Sequence, residues 1–527
     1  MAFTAEWGFL VAVALVLYQC SVVIYRLYFH RLARFPGPKL AAATGWYEAF
    51  FDLARSPGGS PIVRVNPHEI HVEDSAWVDS LYSGLAGGPR DKYPPAAHMT
   101  GTPNGGKSLG TVISSILLKT HVVFGTISSE IHRRRRNAIS SIFAKSTVAM
   151  SEELMYKNVD LLLQRMHSQI KATGSTEMRT NYLALATDIL SDHCLGQSTD
   201  FLLDDQEATK WRKTINAIAT LTPLAKQFPF IIPFALRLPL WPLEMVVPDL
   251  ARIVRLRRVM DDWAKQAVSS HTSGESGIAP DEKQTPDDRP NIFRTVLASK
   301  KLDEPEKRYG RIAQEAFVAL VAGGETTARA LTIMTYHVLA NREKVLPRLL
   351  EELRTVMPSG EERPSLAQLE CLPWLNAIIK ESLRINALVT SRLPLVSPKA
   401  PLIYKDWMIP PGTPVSMTLR DILLDPDVYP EPLQFKPERW LVMAPDGQRM
   451  NHNYVPFGRG SRMCLANENV SSLALSELYI VTASLFRRED FILHDTIRER
   501  DVDIVRDCFI GEVSTGTKGV RIRCEKR

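Results

Sequence analysis

The sequence predicts a mainly α-helical fold with small β-sheets and one apolar helix at the N-terminus. Several segments carry apolar residues at helical spacing, and two shorter segments alternate apolar and polar residues, as half-buried strands do. The helical segments are residues 154–169, 183–195, 211–224 and 311–341, and the alternating segments are residues 62–72 and 402–417. Long helices combined with short hairpins indicate a helical body with small sheets.

The first element is an uncharged run over residues 7–25, which is long enough to cross the hydrocarbon core of a bilayer as a helix. A cleaved signal peptide would have a shorter apolar run and a small-residue cleavage site. The run is preceded by Glu6 and followed by three arginines, Arg26, Arg31 and Arg34. The positive-inside rule therefore places the rest of the chain in the cytosol, and we interpret residues 1–34 as a single-pass membrane anchor.

Four loop or hairpin segments follow the anchor. Residues 35–38 (Phe-Pro-Gly-Pro) break helix propagation and are interpreted as a stiff hinge between the anchor and the body. Residues 62–72 are predicted to form one β-hairpin, and residues 402–417 a second one that turns at Lys405-Asp406. Residues 228–247 are apolar and interrupted by prolines, so in an anchored protein this stretch can dip into the bilayer surface.

The composition excludes two classes of protein. The net charge is only +6, and no basic stripe with interleaved aromatic residues is present, so nucleic acid is not expected as a partner. The six cysteines lie far apart without a C-x-x-C pair. This spacing argues against a disulfide framework and indicates a reducing compartment.

Residues 101–108 (Gly-Thr-Pro-Asn-Gly-Gly-Lys-Ser) match the phosphate-loop pattern G-x-x-x-x-G-K-S letter for letter. A phosphate loop needs a buried apolar strand just before it, whereas residues 90–98 contain Pro94-Pro95 and charged side chains. No clear strand with an aspartate for Mg²⁺ follows. Nucleotide binding is therefore the alternative function from another class, and the context favours a chance match.

The chemistry of the chain centres on residues 457–466 (Phe-Gly-Arg-Gly-Ser-Arg-Met-Cys-Leu-Ala). Glycines allow a tight turn there, and a helix-prone run follows Cys464. Because a helix N-terminus favours thiolate over thiol, Cys464 is interpreted as a metal ligand. Arg462 is expected to neutralise an anionic group of a cofactor, and Phe457 to shield the sulfur from water. The alternative is a buried free cysteine beside a glycine loop.

The same ten residues match F-x-x-G-x-R-x-C-x-G/A, and through this motif the chain resembles the cytochrome P450 family. The resemblance implies that Cys464 is the axial thiolate ligand of the iron of haem b, a ligand that favours O–O cleavage. Ala466 stands where the family usually has glycine. Its methyl group must fit between helix and porphyrin, so the departure affects haem packing rather than the ligand.

Further residues resemble the family's contacts to the haem propionates. His132 and Arg136 lie four residues apart in a predicted helix over residues 131–143, so they share one face and match the W/H-x-x-x-R pair. Arg392 resembles a further propionate-binding arginine. The arginines between His132 and Arg136 are expected on the face where an acidic reductase docks. The alternative is a basic helix face that is only solvated.

Glu381 and Arg384 lie three residues apart on one predicted helix face. Such a pair is usually a surface ion pair. Relatives, however, bury the corresponding residues with an arginine that corresponds to Arg439, as a charged triad under the haem-ligand loop. The resemblance therefore implies that the three residues are structural rather than catalytic.

Residues 322–327 (Ala-Gly-Gly-Glu-Thr-Thr) match (A/G)-G-x-(D/E)-T-T in the middle of the predicted helix over residues 311–341. A helix end at Gly324 is the alternative, but apolar spacing continues beyond it. The two glycines are expected to leave a groove beside the iron. Oxygen activation consumes protons, and the match implies that Glu325 and Thr326 supply them together with ordered water.

The resemblance covers nearly the whole chain after the anchor and points to membrane-bound fungal enzymes of secondary metabolism, of the trichodiene-oxygenase kind. It implies a cytochrome P450 fold in one haem-thiolate catalytic domain over residues 35–527, closed by a final small sheet with residues 508–510 and 518–520. The implied reaction inserts one oxygen atom from O₂ into a lipophilic small molecule. NADPH-cytochrome P450 reductase would supply electrons at the endoplasmic reticulum membrane. A haem-binding protein without turnover is a further alternative.

Residues 105–120 look inserted, because relatives pass directly from Thr-Pro-Asn to a segment like residues 121–126. Gly-Lys-Ser at residues 106–108 is what a splice-donor sequence gives when it is translated. A retained intron therefore explains both the insertion and the phosphate-loop match. The region near residues 56–60 is shorter than in relatives, which a neighbouring gene-model error would explain.

Overall fold

The computed structural model describes residues 2–48, 61–83, 88–97, 122–228, 231–235, 237–272, 289–441, 447–465 and 473–525. Helices dominate these ranges, and short strands form four small sheets. The predicted fold class, mainly α with small sheets, is confirmed.

Eleven α-helices of the described ranges lie before residue 247. They are α1 Ala2–Ile24, α2 Lys39–Ala43, α3 Val78–Tyr82, α4 Pro94–Ala97, α5 Ser129–Ile139, α6 Lys145–Ala149, α7 Glu152–Thr173, α8 Met178–Leu195, α9 Asp205–Gln227, α10 Ile231–Ala235 and α11 Leu240–Val246. The later ones are α12 Pro248–Thr272, α13 Ile292–Ala298, α14 Tyr309–Ala340, α15 Arg342–Arg354, α16 Leu366–Glu370, α17 Pro373–Asn386, α18 Leu419–Leu423, α19 Gly447–His452, α20 Leu473–Arg488 and α21 Arg498–Asp501.

The twelve strands of the described residues contain two to four residues each. They are β1 Ile62–Arg64, β2 Ile70–Val72, β3 Asp91–Lys92, β4 Thr176–Glu177, β5 Leu395–Val396, β6 Leu402–Tyr404, β7 Trp407–Ile409, β8 Pro414–Ser416, β9 Phe491–Leu493, β10 Arg506–Cys508, β11 Ile510–Glu512 and β12 Arg521–Cys524. The largest sheet has the order β1-β2-β8-β5-β3.

The predicted hairpins form, with two differences. β1 and β2 pair antiparallel with Ile62 opposite Val72, and β6 and β7 pair with Tyr404 opposite Trp407. The second hairpin is shorter than predicted, because β8 leaves it and pairs with β2 and β5 in the largest sheet. The prediction of a single C-terminal sheet was wrong. β10 and β11 form their own hairpin, whereas β12 lies between β4 and β9.

Helix α14 crosses the largest hydrophobic core and packs along α8. It is one continuous helix, so the alternative of a helix end at Gly324 is wrong. A Cβ on Gly323 would lie 2.7 Å from Leu190 Cδ2, and a Cβ on Gly324 would lie 2.7 Å from Thr187 Oγ1. Side chains of α8 therefore occupy the space beside both glycines, and this space does not form the predicted groove.

The N-terminal helix has the properties of an anchor. The most apolar 18-residue stretch within the helix Trp7–Phe29 has a mean hydropathy of 2.2, and none of that stretch is buried in the protein. The chain that follows is packed against the body: Leu32 is fully buried, and in the predicted hinge the ring centroids of Phe35 and Trp407 lie 4.9 Å apart. Arg31 donates from both terminal nitrogens to the carbonyls of Pro411 and Gly412.

Several predictions fall outside the described residues. They are the phosphate-loop match at 101–108, the inserted segment at 105–120 and the short region at 56–60. We expect the mature transcript to lack the codons for residues 105–120. Sequencing the transcript tests this, and an intact coding segment would make the insertion a genuine part of the protein.

Candidate active site

Cys464 lies at the end of a closed loop. Its backbone N–H donates to the Phe457 carbonyl at 2.9 Å, and Gly458 N–H donates to the Val455 carbonyl at 3.0 Å. Gly460 has a φ of +72°, and a Cβ there would collide with the Tyr82 carbonyl, so this position requires glycine. Cys464 is exposed and forms no disulfide, so it is not the buried cysteine of the alternative interpretation.

Basic side chains gather at this loop. His132 and Arg136 are both buried on α5, and Arg136 Nη1 donates to the Met463 carbonyl at 2.5 Å. Arg462 contacts the segment just before α5, where its Nη1 donates to the Thr126 carbonyl at 2.6 Å. Lys92 of β3 is also buried here and donates to the Phe124 carbonyl at 2.9 Å.

Burial and nearby positive charges lower the pKa values of three basic side chains at the Cys464 loop. Burial, followed by the charges of Arg462, Arg136 and Lys92, lowers the pKa of His132 to about 3, so its imidazole is neutral at pH 7. Burial and Arg462 lower the pKa of Lys92 to about 7. Burial lowers the pKa of Arg462 to about 10, and Asp91 opposes that shift.

These residues fit a haem. Arg462 Nε is buried without a hydrogen-bond partner in the described part of the chain, so a donor is left for an acceptor the protein does not supply. Basic groups that depress one another's pKa favour an anionic partner, and haem b carries two propionates. An exposed thiol on a rigid loop is the ligand that such a haem requires.

Arg392 forms ion pairs with two glutamates. Its Nη2 lies 2.5 Å from Glu48 Oε1, and its Nε lies 3.3 Å from Glu69 Oε1. Together with Lys226, which contacts Glu48 at 2.9 Å, these residues line a cavity of about 220 Å³. The role of Arg392 in binding a propionate therefore remains a prediction.

The structure also bears on three further predictions, for Phe457, for the helix after Cys464 and for Arg135. Phe457 is half-buried, and its predicted shielding of the sulfur stays a prediction. Helix α20 covers the helix-prone run after Cys464, but residues 466–472 between them, including Ala466, are outside the described part. Arg135 was expected on an exposed docking face and is instead buried, with its Nε 2.9 Å from Glu306 Oε2.

Glu381, Arg384 and Arg439 meet in the interior. The first two lie on α17 and are fully buried, and Arg384 makes two hydrogen bonds to the Glu381 carboxylate, at 2.9 and 2.8 Å. Arg439 Nε approaches Glu381 Oε1 at 3.1 Å. Trp440 Nε1 donates to Glu381 Oε2 at 2.9 Å, so one carboxylate links α17 to the chain before the Cys464 loop.

Glu325 and Thr326 occupy different environments on α14. Thr326 is partly exposed, and its Oγ1 donates to the Ala322 carbonyl at 2.8 Å. Glu325 is buried and forms an ion pair with Arg179 of α8, while its Oε2 has no hydrogen-bond partner among the described residues. Neighbouring residues in a helix do not face each other, so a proton passing between these two side chains needs a bridging water.

A buried ion network that the sequence did not reveal surrounds Glu325. Glu512 of β11 accepts from Arg179 Nη2 at 2.9 Å and from Arg329 Nη1 at 3.2 Å. Although burial alone would raise the pKa of Glu512, Arg179 and then Arg329 hold it at about 2. No local pattern marks Glu512, because it lies in a three-residue strand and meets α14 only in the folded chain.

The Glu512→Gln substitution should reduce stability in a pH-dependent way. Because the folded pKa is about 2 and the model-compound value is 4.5, the carboxylate stabilises the fold above pH 4.5 and loses this effect as the pH falls toward 2. The full effect is roughly 3 kcal/mol in the free energy of unfolding. Denaturant unfolding from neutral to acidic pH measures it.

The wild-type and Glu512→Gln curves should converge below pH 4.5. Glu207→Gln on the exposed surface of α9 is the control and should change stability by less than about 0.5 kcal/mol. A gap between wild type and Glu512→Gln that is independent of pH would contradict the ionised network.

Comparison with known proteins identifies the family. The cytochrome P450 family profile matches residues 111–502. Cytochrome P450 monooxygenase sdnE of Sordaria araneosa is 34% identical over 526 residues, which cover 97% of this chain and 97% of that protein. Cytochrome P450 monooxygenase vrcB of Aspergillus aculeatus is also 34% identical, with 97% and 98% covered. Tryptophan 6-hydroxylase fscE of Fusarium equiseti is 33% identical, with 96% and 95% covered. The chain belongs to the cytochrome P450 family.

Proposed function

We propose that this chain is a haem-thiolate monooxygenase that inserts one oxygen atom from O₂ into a lipophilic small molecule, a terpenoid or another secondary metabolite. The observation that carries the proposal is the exposed Cys464 thiol, presented by a closed loop beside buried basic side chains. Fungal relatives named as cytochrome P450 monooxygenases support the reaction class.

The protein's part in binding follows from these contacts. Haem b, when bound, would supply the activation of O₂, and Cys464 would be its thiolate ligand. Lys92, Arg136 and Arg462 would hold the propionates through charge-assisted hydrogen bonds. The neutral ring of His132 would donate one further hydrogen bond.

Proton delivery is proposed to involve Glu325 and Thr326. The Thr326 hydroxyl already bonds to a carbonyl one turn earlier, which places its oxygen on the exposed side of α14. Arg179 holds Glu325 on the side of α8. Ordered water would therefore connect the two, with Arg179 and Glu512 keeping the carboxylate in place.

Thr326→Ala is expected to leave haem binding intact and to uncouple NADPH consumption from product formation. Without the hydroxyl, protons arrive late and reduced oxygen escapes as hydrogen peroxide. The measurement is hydrogen peroxide released per NADPH consumed, which should rise several-fold. Thr327→Ala, one residue along the helix but on its buried side, is the matched control; equal ratios in wild type and Thr326→Ala would place the relay elsewhere.

The proposed electron donor is NADPH-cytochrome P450 reductase, which would dock on α5. Arg133 and Arg134 are exposed on this helix, whereas Arg136 on its buried face contacts the backbone of the Cys464 loop. An acidic partner on the two exposed arginines would thus lie one helix away from the thiolate. Complementary charge would speed this encounter and make it sensitive to salt.

The membrane side is proposed to include α10 and α11 as well as α1, at the endoplasmic reticulum. Four apolar side chains on these two short helices are strongly exposed, from 63% for Phe234 to 79% for Val246, while Leu243 packs inward. The ring of Phe228, just before α10, lies 6.4 Å from that of Trp46, which follows the anchor in sequence. This shared apolar surface supports entry of a lipophilic substrate from the bilayer.

The absorption spectrum of the reduced, CO-bound protein tests the class. A thiolate-type Soret band supports haem ligation by Cys464. Absence of haem uptake together with ATP binding would favour the phosphate-loop alternative. Haem uptake without NADPH consumption, when reductase and a panel of terpenoid and indole substrates are added, would favour a haem-binding protein without turnover.

A further inference from the structure

We propose that the chain binds one zinc ion, Zn²⁺, at a surface site formed by His167, Glu489 and Cys524. Each of these residues offers one ligand atom, and the three atoms all lie within 4.8 Å of one another. Across the described ranges, no other group of three histidine, cysteine or carboxylate side chains meets this distance. The three residues take no part in the proposed haem site.

The distances are close to those of an occupied site. His167 Nε2 and Glu489 Oε2 lie 3.0 Å apart. With Zn–N and Zn–O bonds of about 2.0 Å and a Zn–S bond of about 2.3 Å, tetrahedral ligand atoms are separated by roughly 3.3 to 3.6 Å. Zinc would therefore replace the His167–Glu489 contact after side-chain adjustments of about 1 Å.

The backbone holds the three positions in place. His167 lies on α7, Glu489 directly follows α20, and Cys524 ends β12. Cys524 is paired with Phe491 in β9, and Glu525 N–H donates to the Asp490 carbonyl at 3.0 Å. The chains next to two of the ligands are thus hydrogen-bonded to each other, which lowers the cost of assembling the site.

The neighbouring arginines are matched by other carboxylates. Arg488 contacts Asp160 at 2.5 Å, and Arg342 contacts both Asp490 and Glu525 at 2.8 Å. The adjacent arginines are thus ion-paired with other carboxylates, and the Glu489 carboxylate lies beside His167. A divalent cation at the site would therefore meet a carboxylate that these arginines, the ones near it in the described part of the chain, have not neutralised.

The donor set favours zinc over the common hard cations. Thiolate and imidazole are ligands for Zn²⁺, whereas Ca²⁺ and Mg²⁺ prefer oxygen atoms. Three protein ligands leave a fourth position for water, and the His167 side chain is 48% exposed, so solvent reaches the site. Zinc would displace the proton of the Cys524 thiol on binding, as metal ligation by cysteine requires.

Occupancy would join three elements that are far apart in sequence. Zinc would tie the C-terminal strand β12 to α7 and to the end of α20. Because binding to the folded state alone stabilises that state, the main effect is expected on local opening of β12.

The test uses the full-length holoprotein, dialysed against a zinc-buffered solution, with bound zinc measured by elemental analysis. Wild type should retain one more zinc ion per chain than Cys524→Ser or His167→Asn. Two controls should behave like wild type: Cys371→Ser removes an exposed cysteine elsewhere, and His452→Asn removes a histidine that pairs with Asp79.

A second measurement is independent of stoichiometry. Added zinc should slow amide hydrogen exchange in residues 521–524 of wild type at least several-fold and leave Cys524→Ser unchanged. Equal zinc content in wild type and both site variants, or exchange in β12 that does not respond to zinc, would overturn the proposal. Neither readout depends on haem turnover.

Discussion

Replacing Cys464 with alanine is expected to abolish the thiolate-type Soret band of the reduced, CO-bound protein and to reduce substrate oxidation to the background rate. The loop over residues 457–464 is closed by its own hydrogen bonds and presents the Cys464 sulfur at its end. Alanine retains the loop's backbone but removes the ligand, so the electron donation that favours O–O cleavage is lost. Spectroscopy and product formation with added reductase measure both effects.

Cys371→Ala provides the matched control, because Cys371 is exposed but follows the short helix α16. It should keep the spectrum and the turnover of wild type. Retention of the thiolate-type band in Cys464→Ala would mean that another residue holds the iron, and the assignment of the site would have to be abandoned.

Glu381→Ala should cost about 3 to 5 kcal/mol in the free energy of unfolding, which is the usual effect of removing one partner from a buried ion pair. The substitution leaves the fully buried Arg384 without its carboxylate and also removes the acceptors of Arg439 and Trp440. Chemical denaturation of the purified protein measures the loss, and a lower yield of haem-loaded protein is expected alongside it.

Two further variants distinguish the cost of leaving a buried charge without its partner from the cost of losing a side chain. Glu431→Ala removes a carboxylate from the exposed pair with Lys436 and should cost less than about 1 kcal/mol. The double variant Glu381→Leu with Arg384→Met should be less destabilised than Glu381→Ala, because the fully buried charge of Arg384 is removed together with its partner, while Arg439 loses its carboxylate in both variants. A double variant that is less stable than the single one would show that the charges themselves stabilise this region.

Local motifs predicted the helical parts of the site well. The spacing of His132 and Arg136 requires only that one helix forms, and α5 buries both on one face. The chain around Cys464 is specified by glycines whose conformations act within the loop itself. The long helix α14 was predictable because its apolar periodicity continues past two glycines.

Contacts between distant segments were not predictable in the same way. Lys92 and Glu512 lie in strands of two and three residues, which are too short to show a periodic pattern, and each meets its partners only across the fold. Arg135 belongs to a run of four arginines, and composition cannot show that Glu306 draws this one inward. The role of the glycines in α14 was misjudged because the sequence does not show which helix packs against them.

The packed segment after α1 would fix how the whole molecule sits at a bilayer, given the proposed membrane anchor. Arg26 donates to the Ala43 carbonyl and accepts, through its own carbonyl, a bond from Arg64, while Leu32 is inserted into the second hydrophobic core. With α1 in a bilayer, as proposed, these packed contacts would join it to the body without a flexible linker. The tilt of α1 in the lipid would then set the height of the apolar face of α10 and α11. Bilayer thickness would in that case control how deeply that face is immersed.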